Sequence, residues 1–249
     1  MTTIVFPSLV AGILIRRYRR FLADVQLVDG SVVTAHCPNS GSMRACSEVG
    51  RPVYLSQSSS PRRKLSYTWE LIEMPSSLVC VNTMLPNRLL RQAIGRGAVL
   101  ELAGYSRVRS EVRCGNHSRI DLVLEDDERP PCFVEIKSCT LVEGKRGYFP
   151  DAVTTRGRKH LVELQELVRS GNRSVIFFLI QRMDAQLFGP ADHIDPDYGR
   201  ELRKAHEKGV DILCYDVLLT LNQMKLNGPV PVEIGPPQSR IKKKKTCYS

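Results

Sequence analysis

The sequence predicts a two-domain protein in which a small all-β barrel over residues 1–82 precedes an α+β or α/β domain over residues 83–226. Up to residue 81 the chain shows short apolar runs separated by turns, whereas from Thr83 helical and strand patterns alternate. A chain of 249 residues is long enough for two buried cores. From Asn227 onward, proline and lysine dominate, which predicts a disordered tail over residues 227–249.

The N-terminal region is predicted to consist of strands joined by turns. Asp29-Gly30 separates two such runs, and this dipeptide is a strong hairpin signal. The predicted strands cover residues 13–21, 23–28, 31–36, 52–56, 65–74 and 77–81, with one helical turn within CPNSGSMRAC (37–46). About five short strands with a helical turn after the third are typical of a Greek-key barrel of the OB type, which commonly presents a nucleic-acid-binding face.

The second region is predicted to form a mixed sheet with helices. Pro86 begins a helix that ends near Gly95, Thr154 or Thr155 caps a second, and Gly171 closes that second helix. Strands are predicted at 106–114, 118–125, 132–138 and 175–180, the last of them parallel, and a third helix (195–209) and a final strand (210–217) follow. The order helix, three strands, helix, strand defines an αβββαβ core.

The segment CFVEIKS (132–138) carries two charges inside a strand pattern. Alternation along the strand places Glu135 and Lys137 on one face. Asp121 lies one strand earlier, and neighbouring strands are about 4.8 Å apart, so matching registers would bring Asp121 and Glu135 into one site. Two carboxylates so close repel each other unless a cation lies between them, and hard oxygen ligands predict Mg²⁺ or Mn²⁺.

This arrangement predicts hydrolysis of a phosphodiester. The metal, held by Asp121 and Glu135, would polarise the phosphate and activate a water, while Lys137 would orient that water or offset charge on phosphorus. Glu111, on the preceding strand, is a further candidate ligand or supporting residue. The alternative is a solvated strand face or a Glu–Lys ion pair that contributes little.

Basic residues predict a polyanionic partner. The chain has 36 Lys and Arg against 26 Asp and Glu, a formal charge of +10. RRYRRF (16–21) combines cations with aromatic rings, a combination that suits single-stranded nucleic acid. Strand alternation would place Arg17 and Arg19 on one face and Arg16, Tyr18 and Arg20 on the other, and the loop residues Arg62, Arg63 and Lys64 could extend the same surface. The alternative for each is a solvated strand or loop.

Cysteines and hydropathy predict the compartment. Eight cysteines occur without a C-x-x-C pair, which predicts reduced thiols in the cytoplasm. The apolar run LVAGILI (9–15) precedes a basic cluster, the reverse of a secretory signal, and is too short to span a bilayer. No membrane partner is therefore expected.

The order D…E-x-K on consecutive strands after a helix resembles the PD-(D/E)xK nuclease superfamily. The resemblance implies that Asp121, Glu135 and Lys137 are the acid, acid and lysine, although Ile120 stands where the signature has proline. In many members the following helix also faces the site. The matching positions in this chain are Arg156, Lys159 and His160.

Segments across nearly the whole chain resemble the sugar fermentation stimulation protein A family. They include RRYRRFLADV, HCPNSGSM, TWEL, SEVRCGNHSRIDLVL, EIKSCTL and GYFPDAVTTRGRKHL. The resemblance implies an OB-like domain joined to a nuclease-like domain, and a cytoplasmic protein that binds DNA without marked sequence preference, with RNA as a further possible partner. Three functions stay open: a Mg²⁺- or Mn²⁺-dependent nuclease, a non-catalytic DNA-binding regulator of sugar (maltose) metabolism, and a metal-dependent hydrolase of small phosphorylated or sugar substrates.

Overall fold

The computed structural model describes residues 2–114 and 118–235, which form two large β-sheets and one small sheet. The chain begins with strand β1 (Thr3–Val5), which joins the second domain. Six strands of the N-terminal domain follow: β2 (Leu9–Tyr18), β3 (Leu22–Leu27), β4 (Val32–His36), β5 (Pro52–Gln57), β6 (Tyr67–Met74) and β7 (Ser77–Cys80).

The N-terminal strands close into a barrel. β2 pairs antiparallel with β3 and β5, β3 pairs with β4, and β5 pairs with β6. β4 then pairs in parallel with β6, where Ala35 lies across from Tyr67, and this pairing closes a ring of five strands. Buried side chains such as Leu14, Val25 and Trp69 fill the interior. The predicted OB-like barrel is confirmed.

Residues 37–46 form a loop, so the predicted helical turn is wrong. The Arg17 guanidinium donates to the carbonyl oxygens of Asn39, Gly41 and Ser42 at 2.8, 2.9 and 3.3 Å. The Asn39 side chain also accepts a hydrogen bond from the N–H of Gly41 at 2.8 Å. A helical turn would need these carbonyls for its own backbone N–H groups. Arg17 instead holds the loop against the end of β2.

The described part of the second domain contains three helices and nine further strands. Its elements are α1 (Leu85–Gly95), a short 3₁₀ turn (Leu100–Leu102), β8 (Arg107–Cys114), β9 (Ser118–Glu125), β10 (Cys132–Cys139), β11 (Leu141–Glu143), β12 (Arg146–Phe149), α2 (Thr155–Arg169), β13 (Arg173–Ile180), β14 (Leu187–Pro190), α3 (Pro196–Glu207), β15 (Asp211–Leu219) and β16 (Gln223–Pro229). The predicted order of helix, three strands, helix and strand corresponds to α1, β8, β9, β10, α2 and β13.

These elements form a mixed seven-stranded sheet between two helical layers. Its strand order is β1-β16-β15-β13-β10-β9-β8, with β13 parallel to both β10 and β15. α1 packs on one face with Val134 and Phe177, and α2 and α3 pack on the other with Ile176 and Phe178. The small sheet, β11-β12-β14, includes a hairpin within residues 141–151, where the sequence analysis placed no strand.

The start of α2 is fixed by a side-chain cap. Thr154 Oγ1 accepts a hydrogen bond from the N–H of Gly157 at 3.0 Å, as predicted for one of the two threonines. α3 begins similarly, because the Asp195 carboxylate accepts from the N–H of Tyr198 and Pro196 occupies the first turn. The cap on α2 places its first two turns beside β10, where the candidate site lies.

Both ends of the described chain depart from the predicted boundaries. β1 pairs antiparallel with β16, and Ile4 is buried, so the first residues belong to the second domain and not to the barrel. The predicted disorder from Asn227 is wrong for residues 227–235. β16 continues to Pro229, Val230 is buried, and Val232 forms a bridge to Phe188. Pro229 is tolerated because it is the last residue of β16 and lies beyond residues 223–225, the stretch that pairs with β1. The lysine run lies outside the described residues.

Six cysteines are unpaired and buried in the described part of the chain: Cys37, Cys46, Cys80, Cys132, Cys139 and Cys214. Burial raises the pKa of several of these thiols, including Cys46 and Cys80 to about 12. They therefore act as small apolar core residues. Across residues 2–114 and 118–235, no helix combines the length and the apolar character that crossing a membrane requires.

Candidate active site

The two predicted acids meet where β9 and β10 separate. The last paired residues of the two strands are Leu122 and Val134, so Asp121 and Glu135 occupy the next position, across from each other. Beyond this point the backbone pairing of the two strands ends. The N–H of Ile136 instead donates a hydrogen bond to Oδ2 of the Asp121 side chain at 2.8 Å. Asp121 is thereby tied to the strand that carries Glu135.

Glu135 lies at the centre of a buried polar cluster. Its Oε1 accepts a hydrogen bond from Lys137 Nζ at 2.7 Å and is also hydrogen-bonded to Nδ1 of His160. Its Oε2 is buried, with no hydrogen-bond partner in the described part of the chain. Only 3% of Glu135 is exposed, so this oxygen pays a desolvation cost that a bound ligand would offset.

Asp121 is held by a residue that the sequence analysis missed. Asn87, on α1, donates from Nδ2 to Asp121 Oδ1 at 2.8 Å. The helical stripe of α1 includes Leu90 and Ile94, and Asn87 falls on that stripe by its spacing of three and seven residues. The presence of the Asn87 amide on an otherwise apolar face of α1 was the one feature of the sequence that indicated a polar contact there.

The two carboxyl groups have pKa values shifted in opposite directions. Burial and the nearby charge of Glu135 raise the pKa of Asp121 from 3.8 to about 6, although the Ile136 N–H counteracts this. For Glu135, burial alone would raise the pKa, but the hydrogen bond from His160 and the charge of Lys137 outweigh it and lower the pKa. Glu135 is therefore ionised at neutral pH, whereas Asp121, with a pKa raised to about 6, is closer to protonation.

Of the three residues predicted on α2, His160 contacts Glu135 directly, whereas Arg156 and Lys159 do not contact either acid. The buried His160 ring contacts Glu135 through Nδ1 and lies 3.3 Å from Lys137 Nζ. Arg156 is exposed, and its Nε donates to His160 Nε2 at 3.3 Å, which places the imidazole proton on Nδ1 facing Glu135. Lys159 is exposed, one residue away from this inward-facing position.

Glu111 is the predicted ligand that lies outside the cluster. It occupies the β8 position between Ser110 and Val112, whose partners on β9 flank Asp121. Its φ of 54° is in the left-handed region, and its side chain is exposed. The kink turns Glu111 away from the regular pleat, so the predicted three-carboxylate set is not assembled.

The residues present fit a divalent cation bound through two carboxylates. Within residues 2–114 and 118–235, no group of three or more His, Cys, Asp and Glu side chains is arranged as a metal cluster. Asp121 and Glu135 nevertheless provide hard oxygens, including the unpartnered Oε2. Mg²⁺ is commonly held by one or two carboxylates while keeping several waters. The donor set therefore suits Mg²⁺ or Mn²⁺ better than a metal that requires a closed protein cage.

Lys137 lines a cleft between the two domains. The cleft has a volume of about 620 Å³ and is bounded by Arg17, Arg20 and the 39–42 loop on the barrel side. The second domain contributes residues 136–140 and 148–154. Contacts across it include Ser42 Oγ donating to the carbonyl of Asp151 at 2.7 Å. The acid cluster thus lies beside a surface built by both domains.

The predicted alternation along RRYRRF is wrong beyond Tyr18. β2 ends at Tyr18, and Arg19 and Arg20 form a turn with φ values of 48° and 64°. Arg17 and Arg20, which were predicted to face opposite ways, consequently line the same cleft. Arg19 and Arg20 are both exposed.

Arg16 and Tyr18 are engaged within the barrel. Arg16 Nε donates to Asp24 Oδ2 at 2.7 Å, and its guanidinium lies 4.7 Å from the centroid of the Tyr18 ring. The Tyr18 hydroxyl donates to Asp24 Oδ1 at 3.1 Å. This pairing reduces the positive charge that Arg16 offers to a ligand.

The loop cations Arg62, Arg63 and Lys64 lie between β5 and β6 and are exposed. Arg63 donates to Thr68 Oγ1 at 2.9 Å. None of the three lines the cleft beside Lys137. Their role in nucleic-acid binding stays a prediction.

Fold and site together define a two-domain protein that joins an OB barrel to an α/β domain with a buried acid–lysine–histidine cluster. Residues 15–81 match the SfsA N-terminal OB domain, and residues 84–223 match the Sugar fermentation stimulation protein RE domain. The chain belongs to the sugar fermentation stimulation protein family.

Similar proteins cover nearly the full chain. A sugar fermentation stimulation protein homolog from Geobacter sulfurreducens is 56% identical over 227 residues, which are 91% of this chain and 97% of that protein. A homolog from Shewanella loihica is 47% identical, covering 93% of this chain and 100% of its own. The solved structure of Pyrococcus furiosus SfsA in complex with Ca²⁺ superposes with a TM-score of 0.85 at 27% identity, covering 94% of this chain and 99% of that one.

Proposed function

We propose that this protein is a divalent-metal-dependent nuclease that binds DNA without marked sequence preference. The observation that carries the proposal is the pair of a half-buried Asp121 and a buried Glu135, with a free carboxylate oxygen on Glu135 and with Lys137 both bonded to Glu135 and lining an open cleft. The superfamily that the sequence resembles places an acid, an acid and a lysine in the same order.

Asp121 and Glu135 would hold the metal. When bound, Mg²⁺ or Mn²⁺ supplies Lewis-acid polarisation of a phosphate oxygen and a water of lowered pKa. The raised pKa of Asp121 supports this role, because a cation beside the pair would offset the repulsion by Glu135 that contributes to the shift. The Pyrococcus furiosus protein was solved in complex with Ca²⁺, a divalent cation that, like Mg²⁺, prefers oxygen ligands, and this supports the proposal of a divalent cation here.

The other residues of the cluster position the acids and stabilise charge. Lys137 can donate to a phosphate oxygen in the cleft or orient an attacking water, since it lines the cleft and its side chain keeps 12% exposure while bonded to Glu135. His160 fixes the orientation of Glu135 through its Nδ1 proton, and Arg156 fixes the tautomer of His160. Asn87 performs the same positioning for Asp121.

Charge supports a nucleic-acid substrate. The formal net charge of +10 favours association with a polyanion, and the cleft beside Lys137 receives two further arginines from the barrel. A small phosphorylated substrate would use the acid cluster equally well, but it would leave the excess of basic residues without a role.

A second candidate is a DNA-binding regulator that does not cut. One observation favours it: Lys137 and His160 both occupy Oε1 of Glu135, an arrangement that also satisfies a purely structural ion pair. In that case, the acids would stabilise the domain, and the cleft would serve only for binding.

Incubation with DNA and RNA separates the two candidates. Single-stranded, duplex, nicked and branched DNA, and RNA, are each incubated with Mg²⁺, Mn²⁺ or EDTA, using the wild type, Asp121→Asn and Lys137→Met. Asp127→Asn, an exposed acid in the turn after β9, is the matched control. The nuclease proposal predicts metal-dependent cutting that falls by about 10² or more in the two site variants and is unchanged in the control. Binding without cutting under every condition would contradict it and support the regulator.

A further inference from the structure

We infer that the cleft between the domains binds one strand of nucleic acid, with a base against Tyr148 and a backbone phosphate held by Arg20. This inference rests on the proposed function, because it names the form of the substrate that reaches Lys137. It follows from the composition of the cleft, its size, and the way in which the barrel contributes to it.

The cleft combines the two groups that single strands require. Its charged lining residues are Arg17, Arg20, Lys137 and Asp151, a net charge of +2. Proteins that bind single strands pair such cations with aromatic rings on which unpaired bases stack. Tyr148 supplies a ring in this lining, and that ring is only half-buried.

The ring of Tyr148 is held in place before a ligand arrives. His193 packs edge-on against it at 5.1 Å between centroids, and the Arg146 guanidinium lies 5.7 Å from its centroid. β12, which carries Tyr148, is also paired on both sides, with β11 and with β14. A fixed ring loses little conformational entropy on binding, which favours its use as a stacking surface.

Arg20 is the cation in the cleft that is available to a phosphate. The guanidinium of Arg17 is hydrogen-bonded to carbonyl oxygens of the 39–42 loop, and the ammonium of Lys137 is hydrogen-bonded to Glu135. The carboxylate of Asp151 is turned to the barrel, where Oδ2 accepts from the N–H of Met43 at 3.0 Å. The exposed side chain of Arg20 therefore provides the positive charge closest to solvent in this lining.

The size of the cleft favours one strand over two. A volume of 620 Å³ equals that of a sphere about 11 Å across, whereas the two grooves of a B-form duplex, about 8.5 and 7.5 Å deep on opposite sides, already require a cross-section of at least about 16 Å. A duplex would therefore rest on the rim, with its bases paired and unable to reach Tyr148. One or two unpaired nucleotides fit inside, with a base at Tyr148, a phosphate at Arg20 and the strand continuing towards Lys137.

Binding measured in EDTA tests this inference separately from catalysis. Fluorescence anisotropy with labelled single-stranded and duplex oligonucleotides of equal length is recorded for the wild type, Tyr148→Ala, Tyr148→Phe and Arg20→Ala. Lys208→Ala, an exposed cation at the end of α3 that does not line the cleft, is the matched control. Circular dichroism verifies that each variant is folded.

We expect the single strand to bind more tightly than the duplex. Tyr148→Ala should weaken single-strand binding about 5- to 100-fold, as for the loss of one stacked base, while Tyr148→Phe retains it. Arg20→Ala should reduce the slope of log affinity against log salt by about 0.7, with no change for Lys208→Ala. Tighter duplex binding, or unchanged single-strand affinity in both Tyr148→Ala and Arg20→Ala, would overturn the inference even if metal-dependent cutting were observed. Absence of cutting alone would overturn only the nuclease proposal.

Discussion

Replacing Asp121 by asparagine is expected to make the protein more stable at neutral pH. Asp121 has a pKa of about 6 in the folded protein against 3.8 as the ordinary value. As the pH rises, Asp121 loses its proton in the unfolded chain before it does so in the folded protein. The free energy of unfolding therefore falls between about pH 4 and pH 6, and the full loss is present above pH 6. The penalty is at most about 3 kcal/mol, at about 1.36 kcal/mol per pKa unit. Solvent at the partly exposed carboxylate reduces it further.

The amide variant removes this penalty and preserves the main contacts. Its oxygen can accept from the N–H of Ile136, and the Asn87 amide can rotate to accept from the new NH₂ group. We therefore expect Asp121→Asn to raise the free energy of unfolding by about 1–3 kcal/mol at pH 7, and by nearly nothing at pH 3.5. Urea unfolding followed by far-ultraviolet circular dichroism, with EDTA present, measures both values.

Glu135→Gln is expected to change the free energy of unfolding in the opposite direction, because it should destabilise the protein at neutral pH. The pKa of Glu135 is lowered in the folded protein, so its ionised form adds stability that is present above the ordinary value of 4.5 and lost as the pH falls through the lowered one. Neutralising this acid leaves the largely buried ammonium of Lys137 beside His160 without its counter-charge, which costs at most about 3–5 kcal/mol at pH 7. Equal, pH-independent losses in the two variants would refute the assignment of opposite environments.

Three further changes test the positioning contacts. Asn87→Ala removes a donor that lowers the pKa of Asp121, so the pH dependence of Mn²⁺ affinity should shift to higher pH; a shift to lower pH would contradict this. Arg17→Ala should destabilise the barrel by about 2 kcal/mol in urea unfolding, because three loop carbonyls lose a charged donor. Gly41→Ala would place a methyl group 2.8 Å from a carboxylate oxygen of Asp151, so the free energy of unfolding should fall by about 1–3 kcal/mol, measured in urea; an unchanged free energy of unfolding would show that the loop can move.

Local sequence patterns predicted the strand that carries the site and its partner acid. CFVEIKS alternates as a strand with Val134 and Ile136 in the core, and this forces Glu135 and Lys137 to the opposite face. These two predictions depend on periodicity and on neighbouring strands, both of which are visible in a single sequence. His160 was one of three positions on the following helix that the superfamily resemblance implied, and sequence pattern did not single it out.

Contacts between distant segments were beyond the same reasoning. The Asn87–Asp121 hydrogen bond joins residues 34 positions apart, and the β1–β16 pairing joins the two ends of the chain. The kink that displaces Glu111 depends on its left-handed φ, which nothing in SEVRC signals. Arg20 reached the cleft because β2 ends two residues earlier, and strand ends are set by pairing and turn geometry more than by composition.

Direct titration of Mn²⁺ into the metal-free protein at pH 7.5 tests the central claim, that Asp121 and Glu135 together form a divalent cation site. Calorimetry or the electron paramagnetic resonance of free Mn²⁺ reports the stoichiometry. The account predicts one site per chain that is lost in both Asp121→Asn and Glu135→Gln and retained in Asp127→Asn. Undiminished binding in the two site variants, or no binding by the wild type at millimolar Mn²⁺, would contradict it.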